Sequence, residues 1–247
     1  MVANYAVMDR VEAPAVTPRP YGLYSVAPPE PMSGRWGVSW QSSACALPDV
    51  IGDSCLSDPA APAPLPQGPK TPTDCPGWTQ FQPLTVYANV KTTPGDPVTA
   101  ADVIANGEQY AVEKALWATL LASAQSSFPA ASAQALDQLA AAEDSLAVAY
   151  AGRGIIHMCP SAAIRCATAL VRVGSQLQTV AGSLVAVGAG YTDGSGAIIA
   201  TGVVRVWRGP VDTFDSVDTK VNDVYTLAER TVLVGWDCQA IRPSVGG

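Results

Sequence analysis

Three side chains within ten residues carry the most chemical potential in this sequence: His157, Cys159 and Cys166. His157 is the one histidine of the chain. Beside a thiol it could serve as a general base, and with two thiolates it could supply part of a tetrahedral metal site. In an extended segment, positions 157 and 159 share a face. The flanking Ile155, Ile156 and Met158 nevertheless mark an interior strand, where a satisfied core histidine beside structural thiols is the simpler reading. Zinc or nucleophile chemistry would also have to recruit carboxylates, and no clear set presents itself. The sequence therefore predicts no catalytic residue, no metal ligands and no cofactor.

Other candidate chemistry falls away in the same manner. The glycines from Gly188 to Gly196 lack G-x-G-x-x-G spacing and lead into a β-branched run rather than a helix, whose free amides would be needed to cradle phosphate. They read as a turn. No G-x-S-x-G elbow, Walker A loop, H-E-x-x-H or C-x-x-C pair occurs. Glu143 and Asp144 are adjacent on a predicted helix, point to different faces and read as a solvated surface. Asp212, Asp215 and Asp218 read as a solvated loop with less ligand density than a calcium loop. Glu108 and Glu113, in a predicted helix with Lys114, are candidates for ion pairs between subunits, with plain solvation as the alternative.

The elements that must position these residues fall in two regimes. Of the 21 prolines, all but Pro129, Pro160, Pro210 and Pro243 lie in the first 97 residues. Helices and central strands cannot persist through such a segment, because proline fixes φ and removes a backbone donor. Two strand-like pieces survive there, 36–41 and 84–90, and the run 58–69 reads as polyproline II or an irregular loop. Beyond Pro97, Thr99 and Asp102 stand in capping-box spacing, and Val103, Tyr110, Leu116, Trp117, Leu120 and Leu121 predict a helix over 99–122. A second helix is predicted over 132–151, with Leu136, Leu139, Leu146 and Tyr150 on one face and Gly152 as a left-handed stop. A buried strand over 155–158 then leads to a third helix, opened by Pro160 and running to about Val171. Strands are predicted over 184–189, 198–207 and 225–237. The fold class is mixed α+β.

Composition narrows the function. Charged residues make up only 14% of the chain, so much of its surface is neutral or covered by something else, which favours an oligomer. A net charge of −7 with four lysines (Lys70, Lys91, Lys114 and Lys220) argues against a dedicated nucleic-acid reader. The first ten residues lack the basic and apolar regions of a secretory leader, and the most apolar stretch, 180–191, is too short to span a bilayer; the expectation is a soluble protein. Six cysteines are too few to frame a disulfide scaffold in a chain this long, and read as free thiols or pairs that oxidise late. A proline-rich arm cannot bury Tyr21, Tyr24, Trp36, Trp40, Trp78 and Phe81 by itself. These rings are expected to dock on neighbouring copies in preference to their own chain.

Several stretches, taken in order, resemble one family. Gly107-Glu-Gln-Tyr-Ala-Val-Glu-Lys-Ala-Leu-Trp117 is similar to an acid-containing helix terminus, and Ile155-Ile-His-Met-Cys-Pro160 to a strand entering a helix. Leu177-Gln-Thr-Val-Ala-Gly-Ser-Leu-Val185, Ala200-Thr-Gly-Val-Val-Arg-Val-Trp207 and Leu227-Ala-Glu-Arg-Thr-Val-Leu-Val-Gly-Trp-Asp-Cys238 resemble later strands, with Arg230 as the basic residue before the last. Their layout resembles HK97-fold major capsid proteins of the small type found in tailed phages of actinobacteria. The resemblance implies an N-terminal arm over 1–35, an extended β-hairpin loop region over 36–97, a spine helix with part of a peripheral domain over 98–131, an axial domain over 132–200 and closing strands over 201–247. It further implies self-assembly through pentamers and hexamers into an icosahedral virion shell around double-stranded DNA, bound without sequence specificity. Portal, scaffolding or decoration proteins would be the other partners, with no membrane involved. An encapsulin-like compartment and a tail-tube or decoration protein are the alternatives.

Overall fold

Thr99 opens the longest helix as its spacing predicts. Its hydroxyl accepts the Asp102 N–H at 3.2 Å while the Asp102 carboxylate accepts the Thr99 N–H at 2.9 Å, a capping box with aspartate in place of glutamate. The computed structural model describes residues 16–17, 19–32, 37–45, 78–92, 98–131, 134–220 and 223–245. In chain order these form α1 (Leu23–Val26), β1 (Glu30–Pro31), β2 (Val38–Gln41), β3 (Trp78–Phe81), β4 (Leu84–Thr92) and the capped helix α2 (Ala100–Ser123). There follow β5 (Gln125–Ala131), α3 (Ala135–Ala149), β6 (Ile155–Met158), α4 (Pro160–Arg165), β7 (Leu170–Val173), β8 (Gln176–Thr179) and β9 (Leu184–Val187). The chain closes with β10 (Ile198–Thr201), β11 (Val204–Asp218), β12 (Asp223–Trp236) and β13 (Ile241–Val245).

The strands make three sheets. One has the order β1-β11-β12-β4, a second β5-β13-β10-β6-β9-β8-β7, and β2 pairs with β3 alone. The long β11–β12 hairpin is antiparallel from Val204↔Trp236 to Asp218↔Asp223, with a bulge between Arg208 and Val211 where Pro210 has no N–H to give to the ladder. Helix α2 lies on this sheet and buries Ala100, Ile104, Val112, Leu116 and Leu120, spaced four or eight apart; Ala100 and Ile104 form a small cluster with Ala88 and Ala228, while the later three join Val86 in the main core. That main core continues around β6, β9 and β10, where Ile155, Ile156, Met158, Val185, Ala186, Ile198 and Ile199 are buried and α3 covers β10 and β13.

Several expectations need correction. Val103 and Tyr110 are exposed, because the buried stripe of α2 follows the every-fourth-residue row through Ile104 and Glu108 instead. On α3, Leu139, Leu146 and Tyr150 are buried but Leu136 is exposed. That helix ends at Ala149 with Tyr150 extended, and Gly152 is no left-handed cap; a Cβ there would meet the Tyr150 ring at 2.9 Å. The third helix stops at Arg165, short of Val171. Beyond it, β-branched Val171 and Val173 with Gly174 at φ +60° form a β hairpin to β8. The single strand expected over 198–207 is split between two sheets at Gly202, where a side chain would press on the Asp237 carbonyl at 2.8 Å. Asp212, Asp215 and Asp218 lie on β11, not in a loop, and Asp215 accepts the Thr226 hydroxyl across the ladder at 2.8 Å. Glu143 is not simply solvated, since it accepts hydrogen bonds from Thr179 and Ser183.

Candidate functional site

The arm segment around α1 is held on α2 by two acids. Glu113, 1% exposed, accepts the Leu23 N–H at 3.0 Å, the Gly190 N–H at 3.1 Å and the Gln109 amide at 2.8 Å. Glu108, 3% exposed, accepts the Tyr24 hydroxyl at 2.8 Å and pairs with Arg230 at 2.5 Å and Arg208 at 3.5 Å. A buried carboxylate is tolerable only with such partners, and here the long strands β11 and β12 supply both cations. Burial, then the charge of Glu108, pushes the Tyr24 phenol well above its ordinary value, so it stays a donor. Glu108 and Glu113, expected either between subunits or in solvent, are therefore engaged inside their own chain. Apart from Gln109, one helical turn from Glu113, their partners lie 77 to 122 residues away in sequence, which no local spacing could signal.

The arm's aromatic residues divide. Trp40 packs on Phe81 (ring centroids 4.6 Å apart) and Trp207 (5.9 Å), and Phe81 on Trp236 (5.1 Å). Gly235 makes room for this cluster, since a Cβ there would meet the Trp40 ring at 2.5 Å. Tyr24, Trp40 and Phe81 thus have packing partners within their own chain. Tyr21 is half-buried, with the Arg172 guanidinium 6.0 Å from its ring centroid. Trp78 remains 68% exposed. Trp36 lies outside the described residues.

The hairpin end is tied down covalently. Cys45 is disulfide-bonded to Cys238, with Cα atoms 5.4 Å apart and a sequence separation of 193 residues. Cys159 and Cys166 are buried free thiols, and burial pushes the Cys166 thiol up. Cys55 and Cys75 lie outside the described residues. Among those residues Cys45, Asp237 and Cys238 form the one group whose donor atoms are close enough to share a metal ion, but both sulfurs are committed to the disulfide.

His157 is fully buried, and burial pushes its imidazole down to about 3, so it is neutral. Thr201 donates its hydroxyl to the Gly202 carbonyl and so accepts from His157 Nε2–H at 3.0 Å. That leaves Nδ1 to accept the Tyr191 hydroxyl at 3.1 Å. Cys159 instead has Ser161 as its neighbour, at 3.1 Å. Both ring nitrogens are taken, and the histidine is a satisfied core residue. The glycine-rich loop is a turn: Asp193 accepts the Trp117 indole N–H and the Ser195 N–H, and Gly194 and Gly196 have positive φ. One of its amides, that of Gly190, already serves Glu113.

The open surface lies on the other side of the four-stranded sheet. Cross-strand register places Tyr87 beside Glu229, Leu227 between Asn89 and Phe214, and Tyr225 beside Lys91. Tyr87 is 69% and Phe214 55% exposed. Lys91 pairs with Asp223 at 2.6 Å, and Asp212 and Asp218 lie in the same outward rows, so this face is aromatic and acidic. Elsewhere Ile164, Val171, Val173 and Val180 are exposed, and the stretch that carries them has arginines but no acid between Asp144 and Asp193.

No family model matches the sequence, and no curated protein is significantly similar to it. Solved structures share its fold over nearly the whole chain. A protein of Mycobacterium phage Che8, 11% identical, superposes with a TM-score of 0.56 over 98% of this chain and 96% of its own. The capsid of the empty GTA particle, 12% identical, gives 0.58 over 98% and 96%. The virus-like particle from Pyrococcus furiosus, 11% identical, gives 0.53 over 87% of each chain. At such identities the likeness is one of fold.

Proposed function

We propose that this chain is the repeating subunit of an icosahedral shell, the major capsid protein of a tailed phage with an HK97-like fold. The observation that carries this reading is the near-complete coverage, in both directions, between this chain and the GTA capsid. In support, the low charge content and the exposed aromatic face of the four-stranded sheet call for partners, and many copies of one chain supply them through heterologous contacts. Residues 1–35 act as the arm, 36–97 as the extended loop region and 98–131 as the spine with part of the peripheral domain. Residues 132–200 form most of the axial domain and 201–247 contribute closing strands. Pentamers and hexamers build the shell in the host cytoplasm and enclose double-stranded DNA without reading its sequence. Portal and scaffolding or decoration proteins are the expected partners in the virion. Tyr21 of the arm and Trp36 and Trp78 of the extended loop region are the residues we assign to contacts between copies. No helix among the described residues is long and apolar enough to cross a membrane.

Particle contents test the enclosed cargo. Shells isolated from producing cells should carry nuclease-protected DNA. Shells filled with a single protein cargo instead would favour an encapsulin-like compartment, and rings or tubes a tail component.

A further inference from the structure

We propose that Cys45 and Cys238 form a redox latch: segment 37–45 docks non-covalently, and oxidation by a small-molecule disulfide such as glutathione disulfide then locks it in place. The two sulfurs come from positions 193 residues apart, so only tertiary packing brings them together. The contacts that make up that packing do not involve the sulfurs. Trp40 sits on Trp207, Phe81 on Trp236, and the Ala151 N–H donates to the Ala44 carbonyl at 3.0 Å, one residue before Cys45. On the other side, Asp237 is held by backbone hydrogen bonds from the Gly202 N–H and to the Val203 carbonyl, and its carboxylate accepts the Cys238 N–H at 3.2 Å. Cys238 itself has a positive φ of 57°, a conformation non-glycine residues rarely adopt, and this turn aims its side chain at Cys45.

Accessibility separates this pair from the other described cysteines. Cys45 and Cys238 are partly exposed, whereas Cys159 and Cys166 are buried and unpaired. Exchange needs a thiolate that a disulfide reagent can reach, so the reactive pair is the one already placed for bonding. One thiolate attacks glutathione disulfide, forming a mixed disulfide and releasing one glutathione. The second then attacks the mixed disulfide at the protein sulfur, closing Cys45–Cys238 and releasing the other glutathione. The two thiol protons and two electrons of the protein end on the two glutathiones. A reducing compartment holds the latch open and an oxidising one closes it.

The latch is independent of shell formation and can be tested on the full-length chain. Protein purified under dithiothreitol is treated with glutathione disulfide, and the products are mapped by non-reducing peptide mass spectrometry. Hydrogen exchange of the Ala151 amide and of β2 is followed in both forms. The expected product is one bridge, Cys45 to Cys238, with these amides exchanging at least about tenfold more slowly after oxidation. Cys45→Ser and Cys238→Ser should exchange at the reduced rate with or without oxidant. Should either variant fail to fold, the wild-type comparison with and without dithiothreitol carries the same test. Pairing of Cys45 with Cys55 or Cys75, both thiols remaining alkylatable, or equal exchange in the two forms would each overturn the proposal.

Discussion

At the scale of single residues, the buried titratable groups hold the body and the arm together. His157 takes up a proton near 6.5 when unfolded but only near 3 in the folded chain. Its contribution is therefore fully present above pH 6.5 and is lost as pH falls from there towards 3, at a slope of about 1.4 kcal/mol per pH unit. Denaturant titrations between pH 7 and pH 4 should show this slope, and His157→Gln should be less stable at pH 7 with a shallower decline. Glu108 carries more of the architecture. Glu108→Ala leaves Arg230 and Arg208 without their carboxylate and should cost about 3 kcal/mol, whereas Tyr24→Phe removes one hydrogen bond and should cost about 1 kcal/mol. Equilibrium unfolding of the two variants checks the ranking.

At the scale of elements, contact between α2 and the glycine-rich turn is close enough to forbid a side chain. A Cβ on Gly190 would meet the Lys114 amide nitrogen and the Tyr110 carbonyl oxygen at 2.5 Å. Gly190→Ala should destabilise the chain by about 1 to 3 kcal/mol, read from its unfolding midpoint. Elements with local signals were legible in the sequence: the Thr99–Asp102 cap, Pro160 as the first residue of α4, and the apolar run of β6. The hairpin of β7 and β8 was not, because Val171 also fits a helical spacing from Ala167 and only pairing with Gln178 decides it. The roles of Glu108 and Glu113 were equally hidden. An acid on an amphipathic helix reads as surface until arginines and backbone amides from distant strands and turns are placed around it.

At the scale of the whole molecule, the disulfide closes a loop spanning most of the chain. By chain entropy alone it stabilises the folded state by up to about 5 kcal/mol. Unfolding in dithiothreitol should show the difference, and Cys45→Ser should remove it. The outward face of the four-stranded sheet is instead our proposed contact between molecules. Asp in place of both Tyr87 and Phe214 should leave stability within about 1 kcal/mol of the parent, because both rings are exposed, yet abolish assembly. Light scattering beside circular dichroism would separate the two effects. Shell formation itself is most directly tested by negative-stain electron microscopy of the purified full-length chain under assembly conditions. Closed particles of uniform diameter are the predicted result, and a chain that stays monomeric across those conditions would contradict it.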